Sequence, residues 1–253
     1  MQCFIINIVI LVNLFCFFAV FVSSKKIPDY VPVCKKSNPQ FEKCILDAIE
    51  VVRPHLSKGI AKMKIPPSEP LVIPMLEIVR DLESLRVNAK LKDIKVYGVT
   101  SFVVKKLKVD LTKLAVDMTV MIPNMYVTAE YDVDGRLMIV PLRGKGLFKG
   151  NFTNSEADIK GTAKTITNKK GTEFIQIKDI KAKIRVGDSA IKFNNQDREN
   201  AAITETAANF INQNKREVLR IISPIVEETS EAFIVQFGNA IFRAVPMAEM
   251  LPE

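Results

Sequence analysis

Few residues in this chain have the types and spacing that covalent chemistry needs. His55 is the only histidine in 253 residues, and no acid and nucleophile accompany it. The sequence contains no phosphate-binding loop, no HExxH zinc motif and no G-x-S-x-G nucleophile elbow. Asp132 and Asp134 flank a turn signal, where carboxylates are typical turn formers rather than a catalytic pair. The sequence therefore predicts a protein that is not an enzyme and that needs no cofactor.

The four cysteines fall into two pairs. Cys3 and Cys16 lie in an apolar N-terminal run, which leaves Cys34 and Cys44 in the rest of the chain. In an oxidising compartment, two thiols this close in sequence are expected to pair. Metal binding is the alternative, but two cysteines without nearby His or further Cys make a poor zinc site. We predict a Cys34–Cys44 disulfide and no bound metal.

The N-terminus has the composition of an export signal. Residues 3–22 are almost continuously apolar and carry no charge, and Ser23-Ser24 follow just before two lysines. This pattern predicts cleavage by signal peptidase after Ser24. An uncleaved membrane anchor is the alternative, because the run is long enough to span a bilayer and no Lys or Arg precedes it. We expect residues 1–24 to be a signal peptide and residues 25–253 to form one secreted, extracellular domain.

One sequon is consistent with export. Asn151-Phe152-Thr153 has the N-x-S/T form that oligosaccharyltransferase modifies. The triplet is short, so an unmodified loop residue is the alternative. We predict glycosylation at Asn151.

The chain is basic, with a formal net charge of +8 and a pI near 9.2. A nucleic-acid-binding protein is expected to gather such charge into a stripe with interleaved aromatics. Here the basic residues are spread out, and Lys181, Lys183 and Arg185 alternate with apolar residues, as on the solvated face of a half-buried strand. We therefore expect no nucleic-acid partner. An anionic membrane surface stays open as a second class of partner.

The apolar periodicity changes twice along the chain. A first helix is predicted from Asn38-Pro39 to Arg53-Pro54. Alternation with a period of two then runs from about residue 85 to 186 and predicts an antiparallel meander of long strands. A helical stripe occupies residues 203–241, on the order of 60 Å if continuous, with an expected kink or interruption at Pro224.

Three features within the meander predict where its strands turn or change phase. The apolar phase slips by one residue at Lys113-Leu114, as at a β-bulge. Asp134-Gly135 is a strong hairpin signal. A further turn is expected at Asn168–Gly171, between two more strands.

Several short segments occur in a specific order and spacing after the exported N-terminus. They are the Cys34/Cys44 pair, Glu69-Pro-Leu-Val-Ile-Pro74, Val96-Tyr97-Gly98, and the run from Tyr131 through Asp-Val-Asp-Gly-Arg-Leu-Met-Ile-Val-Pro-Leu-Arg-Gly-Lys to Gly146, followed by Gly150-Asn151. Together they resemble the takeout and juvenile-hormone-binding proteins of insects over essentially the whole mature chain. A single disulfide favours the takeout branch, for which circadian roles are suggested.

The resemblance implies an α+β fold in which a long C-terminal helix is wrapped by a highly curved antiparallel sheet. This is half of a tubular lipid-binding protein of the bactericidal/permeability-increasing type, with a hydrophobic tunnel between sheet and helix. The implied function is a secreted, monomeric carrier of a small lipophilic ligand such as a terpenoid hormone, a fatty acid or a quinone. A defence protein that binds membrane or lipopolysaccharide surfaces is the alternative.

Large apolar residues on the predicted inward faces are the candidate tunnel lining. Methionine suits such a lining because its flexible side chain tolerates imprecise packing. Either Tyr126 or Tyr131 could offer a hydroxyl to a ligand carbonyl, and Asn214 near the helical stripe could do the same. Ordinary core packing is the alternative for each residue. The chosen ligand-binding candidates are Met118, Met125, Tyr131, Phe148, Phe152, Phe210, Phe233 and Phe237.

Overall fold

A computed structural model describes residues 27–196 and 198–253, so the signal peptide predicted for residues 1–24 lies outside the described residues. The helices are α1 (Phe41–Leu56), α2 (Ala201–Gln213), α3 (Lys215–Ala244) and α4 (Met247–Met250), with 3-10 turns at Ala61–Met63, Val99–Ser101 and Arg198–Asn200. The strands are β1 (Leu71–Asp81), β2 (Leu85–Tyr97), β3 (Val103–Asp110), β4 (Ala115–Leu137), β5 (Val140–Thr167), β6 (Glu173–Arg185) and β7 (Asp188–Asn195).

The sheet is built around one long hairpin made by β4 and β5, which pair from Ala115–Thr162 to Leu137–Val140. β2 and β3 lie end to end along the free side of β4. β7 and β6 lie end to end along the free side of β5, and β1 extends the sheet beyond β2. Every pairing among the described strands is antiparallel, which confirms the predicted arrangement.

The concave face of the sheet changes phase halfway along the central hairpin. Odd-numbered Tyr131 of β4 is buried on this face. Nearer the start of β4, odd-numbered Asp117 instead forms an ion pair with Lys106 on the outer surface. The change falls at Pro123 on β4 and at Asn154 on β5, where Asn154 has a φ of +49°. Even-numbered residues before Pro123 and odd-numbered residues after it therefore share one concave surface.

One end of the molecule is a packed apolar core. There, α3 lies against the strand ends of β2 and β4, and partly buried side chains of α2 add to the contact. Burial of apolar area drives this packing, at roughly 25 cal/mol per Å². The buried members of the core are Leu85, Val87, Ala89, Leu137, Val218, Ile221 and Ile225.

α3 runs along the edge of β6, and its polar side chains take the place of a neighbouring strand. On the other side, Glu228 of α3 forms an ion pair with Arg80 of β1. The helix therefore fills the gap between the two edges of the curved sheet, which confirms the predicted sheet wrapped around a helix. The edge hydrogen bonds run from Ile184 N–H to Glu227 Oε1 (3.1 Å), from Ala182 N–H to Glu231 Oε1 (2.9 Å) and from Ile177 N–H to Asn239 Oδ1 (2.8 Å).

The C-terminal helix is broken at Asn214 and continues through Pro224, so of the two outcomes expected at this proline the interruption was wrong. The Asn214 side chain and its backbone N–H both donate to the Phe210 carbonyl, at 2.8 and 2.9 Å, which ends α2. Pro224 lies inside α3, which at 1.5 Å per residue is about 45 Å long.

One predicted turn lies elsewhere in the structure, and one predicted bulge is a turn. Asp134-Gly135 is inside β4, and the hairpin turn is at Met138-Ile139. Gly135 instead allows β2 and β4 to lie close together, because a Cβ at this position would lie 2.2 Å from the Arg86 carbonyl oxygen. The phase slip at Lys113-Leu114 is the turn from β3 to β4 rather than a bulge, since the two strands pair directly on either side of it. The turn at Asn168–Gly171 is confirmed.

Candidate ligand-binding site

A group of large side chains surrounds Gly150 in the middle of the concave face. A Cβ on Gly150 would lie 2.8 Å from ring atoms of both Phe148 and Phe152, so the two rings lie over the glycine. Met125 of β4 lies directly opposite Phe152. Phe193 of β7 lies opposite Phe148, with ring centroids 5.4 Å apart. We call Met125, Phe148, Phe152 and Phe193 the aromatic floor.

Tyr131 lies between the aromatic floor and the packed core. Its side chain is 5% exposed, and its ring meets Phe193 edge-on with centroids 5.1 Å apart. Its hydroxyl is buried and forms no hydrogen bond within the described residues. Burial raises the pKa of Tyr131, and the nearby Thr204 hydroxyl lowers it in part without reaching hydrogen-bond geometry. Tyr126, the alternative on the same strand, lies on the outer face opposite the exposed Asn151.

Three predicted lining residues lie away from the aromatic floor. Met118 is beyond the phase change, opposite Ile159 of β5, and is partly buried. Phe233 and Phe237 are one turn apart on α3 and stack on each other with centroids 5.3 Å apart. These three apolar side chains therefore lie outside the aromatic floor, one on the sheet and two on α3.

Phe210 and Asn214 contribute to structure at the end of α2. Phe210 packs against the buried core cluster. Asn214 is exposed, and both of its donors bind the Phe210 carbonyl. Neither side chain joins the aromatic floor.

The concave face is packed less tightly toward the start of β4 than at the core end. The strand residues at the core end are buried, whereas the apolar residues over the first half of β4 are only partly buried. Concave apolar surface of this kind is typical of small-molecule sites. The partly buried apolar residues of this segment include Met118, Val120, Ile122, Met125 and Val127.

A cavity of about 400 Å³ lies where the N-terminal lead meets the C-terminal tail. The Cys34–Cys44 disulfide is present, with Cα atoms 5.9 Å apart, and ties this lead to α1. The Lys36 N–H also donates to the Pro252 carbonyl at 2.8 Å. The predicted disulfide is therefore confirmed. The lining of the cavity comprises Ile27, Pro28, Asp29, Val31, Val33, Ala248, Glu249 and Pro252.

The groups considered for chemistry are dispersed. His55 stacks on Tyr30, with ring centroids 4.0 Å apart. Within residues 27–196 and 198–253, no three His, Cys, Asp or Glu side chains come together as a metal site. No helix in these same ranges is long and apolar enough to cross a membrane.

Phe193 is the member of the aromatic floor that is not among the residues predicted from the sequence. Its signal is short, because Ile191 and Phe193 alternate with Lys192 and Asn194 just beyond the alternating segment that ends near residue 186. Four alternating residues next to a helical stripe are easily taken for a connection, yet here they form β7 along the free side of β5.

A curved antiparallel sheet with a long terminal helix between its edges defines a single module of the tubular lipid-binding type. The family model for haemolymph juvenile hormone binding protein (JHBP) matches residues 11–252. The chain therefore belongs to the haemolymph juvenile hormone binding protein family, and the family resemblance inferred from the sequence is confirmed.

Individual relatives extend this result. Circadian clock-controlled protein daywake of Drosophila yakuba is 27% identical over 207 residues, covering 79% of this chain and 80% of its own. A putative beta-carotene-binding protein of Schistocerca gregaria is 20% identical over 224 residues, covering 88% of each chain. The crystal structure of Epiphyas postvittana Takeout 1 matches with a TM-score of 0.72 at 21% identity, over 88% of this chain and 100% of that one. The last comparison shows a shared fold.

Proposed function

We propose that this protein is a secreted carrier that holds a small lipophilic molecule between the concave face of the sheet and α3. The observation that carries the proposal is the difference in burial of apolar side chains between the two ends of the molecule. One end is a buried core, whereas the aromatic floor and the first half of β4 present apolar side chains that are only partly buried. Such a surface gains free energy when a ligand removes it from water.

The composition of the surface indicates the class of ligand. Methionine and phenylalanine dominate it, and Met118 and Met125 can adapt to a flexible aliphatic chain. The Tyr131 hydroxyl is a buried polar group next to the aromatic floor, and a shift of Phe193 would bring it within reach of a ligand carbonyl. Terpenoids, fatty acids and quinones fit this description. Juvenile hormone and β-carotene, after which relatives are named, belong to the same chemical range.

Secretion is supported by three features. The disulfide requires an oxidising compartment. The apolar N-terminal run has the form of a signal peptide. The family description refers to haemolymph, an extracellular fluid.

The distribution of charge favours a soluble carrier over a protein that binds anionic membranes. A membrane-binding protein is expected to concentrate basic residues on one surface. Ion pairs here occur at the termini, along β1, on the outer face and at the start of α3. Examples are Lys36–Glu253, Lys90–Glu77, Lys106–Asp117, Arg143–Asp134 and Lys215–Asp188.

A charge placed in the aromatic floor tests the proposed site. We expect Met125→Arg to weaken binding of the fluorescent lipophilic probe N-phenyl-1-naphthylamine by at least about tenfold, because ligand burial would strip water from the new cation. Asn124→Arg is the matched control, since the adjacent residue is exposed on the opposite face, and its affinity should stay within about threefold of the wild type. Equal affinities for the two variants would contradict the proposed location of the site.

A further inference from the structure

The outer face of the sheet carries an aromatic pair beside the sequon, one ring exposed and the other partly buried. Tyr97 of β2 is paired with Tyr126 of β4, and Tyr126 with Asn151 of β5. The two tyrosine rings have centroids 5.9 Å apart, and 36% of Tyr97 is exposed. Asn151 is exposed, and its other cross-strand neighbour is the small residue Ala190 of β7.

We propose that Asn151 carries an N-linked glycan whose first N-acetylglucosamine packs on Tyr126 and covers the tyrosine pair. The inference rests on the secretion part of the proposed function, because the modification takes place in the secretory pathway. Asn151-Phe152-Thr153 is the one sequon in the sequence, so any N-linked glycan on the chain is assigned to this position.

The covalent step is a transfer from a lipid-linked oligosaccharide diphosphate. The Asn151 Nδ2 attacks the anomeric carbon of the first sugar, so that a C–N bond forms and the bond from that carbon to the diphosphate oxygen breaks. The amide loses one proton to base, and the lipid diphosphate leaves with the bonding electron pair. The Thr153 hydroxyl is the sequon group that the transferase recognises.

The register of β4 and β5 places the sugar beside the ring. Directly opposed residues in an antiparallel pair have Cβ atoms about 4.5–5.5 Å apart, and their side chains stand roughly perpendicular to the sheet. A sugar bonded to Asn151 therefore starts next to the Tyr126 ring. The hydrogens on one face of a pyranose form an apolar surface that packs on an aromatic face, and Ala190 leaves room on the other side.

Packing of the sugar covers aromatic surface that the bare chain leaves in contact with water. The tyrosine hydroxyls at the far edge of the rings can stay solvated, which suits an amphipathic platform. The glycan is therefore expected to stabilise the folded state, and the effect should depend on the Tyr126 ring.

The test uses full-length protein secreted from insect cells as wild type, Asn151→Gln, Thr153→Ala and Thr153→Ser. We expect an intact mass above that of the polypeptide for the wild type and Thr153→Ser, and loss of this excess in Asn151→Gln and Thr153→Ala. Asn124→Gln, on the same face of the neighbouring strand but outside any sequon, should keep the excess. A secreted wild type with the polypeptide mass alone would overturn the proposal.

Thermal unfolding tests the packing. Asn151→Gln should lower the Tm by about 2–4 °C in the wild-type background. The same substitution should change the Tm by less than about 1 °C when Tyr126 is already Ser, because the ring that the sugar covers is gone. Equal Tm losses in the two backgrounds would overturn the packing.

Probe binding on the same preparations separates this proposal from the proposed function. A glycosylated protein that shows the Tyr126 dependence but binds no N-phenyl-1-naphthylamine contradicts the carrier and keeps the glycan. Protein that folds, stays inside the cells and has the polypeptide mass alone contradicts both secretion and the glycan.

Discussion

At Gly150 the lack of a side chain shapes the candidate site. The Phe148 and Phe152 rings occupy the space in which a Cβ would sit. These rings form most of the surface that Met125 and Phe193 complete. The missing side chain at Gly150 therefore leaves room for the two rings on the concave face, and the rings make this surface apolar.

Gly150→Val tests the role of this glycine. The added methyl groups must displace one ring or both, so we expect the free energy of unfolding to fall by about 1–3 kcal/mol. The displaced rings should also weaken binding of the lipophilic probe. Urea unfolding and a probe titration measure the two effects.

Both substitutions are made in the Asn151→Gln background, which carries no sugar on the outer face. Ala190→Val adds similar bulk to the exposed outer face of β7 and is the control. It should change the free energy of unfolding by no more than about 0.5 kcal/mol. Equal effects of the two substitutions would mean that the rings over Gly150 impose no special packing constraint.

The sequence predicts which types of residue form the candidate site, but not which of these residues lie together. Period-two alternation places Met125, Phe148 and Phe152 on one face, because each strand has a regular two-residue repeat. Alternation cannot show that Phe210 packs into the core at the far end of the molecule. Alternation also does not identify Phe193, because its strand is too short to stand out. The contact between the Phe193 and Tyr131 rings therefore cannot be predicted either.

At the scale of elements, the contact between α3 and β6 holds the curved sheet closed. Glu227 accepts a hydrogen bond from the Ile184 N–H and pairs with Lys183. Burial raises the pKa of Glu227, but the hydrogen bonds from Lys183 and Ile184 lower it more, so the net pKa lies below the ordinary value of 4.5. The carboxylate form is therefore favoured in the folded state.

Glu227 should make the stability of the fold depend on pH. Its contribution is fully present well above the unfolded-state pKa and is lost as the pH falls through the lower folded-state value. We expect the wild type to lose more free energy of unfolding than Glu227→Gln between about pH 7 and pH 3. At neutral pH, Glu227→Ala should cost about 1–3 kcal/mol because the edge N–H loses its acceptor.

Glu217→Ala is the matched control on the same helix. Glu217 pairs with Arg220 in an exposed i,i+3 geometry, with 42% of its side chain accessible against 13% for Glu227. Its effect on urea unfolding should stay below about 0.5 kcal/mol at neutral pH. A Glu227→Ala variant no less stable than Glu217→Ala would show that the edge contacts do not hold α3 on β6.

The sequence predicts the order and type of the helices and strands accurately, but it predicts the positions of their ends less well. The helix, strand and helix blocks follow directly from the change in apolar period. The hairpin signal at Asp134-Gly135 failed because the pairing of β2 with β4 continues to Leu137, where burial fixes the register. The helix break at Asn214 was missed because it depends on a local side-chain bond to a backbone carbonyl, whereas proline was the obvious breaker.

At the scale of the whole molecule, a buried core and a partly buried concave face share one sheet. The central hairpin of β4 and β5 runs through both regions. The phase change near Pro123 and Asn154 keeps apolar residues on the same side along its full length. The fold can therefore be stable through its packed end while the other half remains open to a ligand.

Native mass spectrometry of the protein secreted from insect cells, combined with organic extraction, tests the carrier function most directly. We expect a stoichiometric apolar molecule that stays bound under native conditions and is lost on denaturation, and its mass would give the ligand class. An empty protein that also fails to take up any of a panel of terpenoids, fatty acids and quinones would contradict a carrier function.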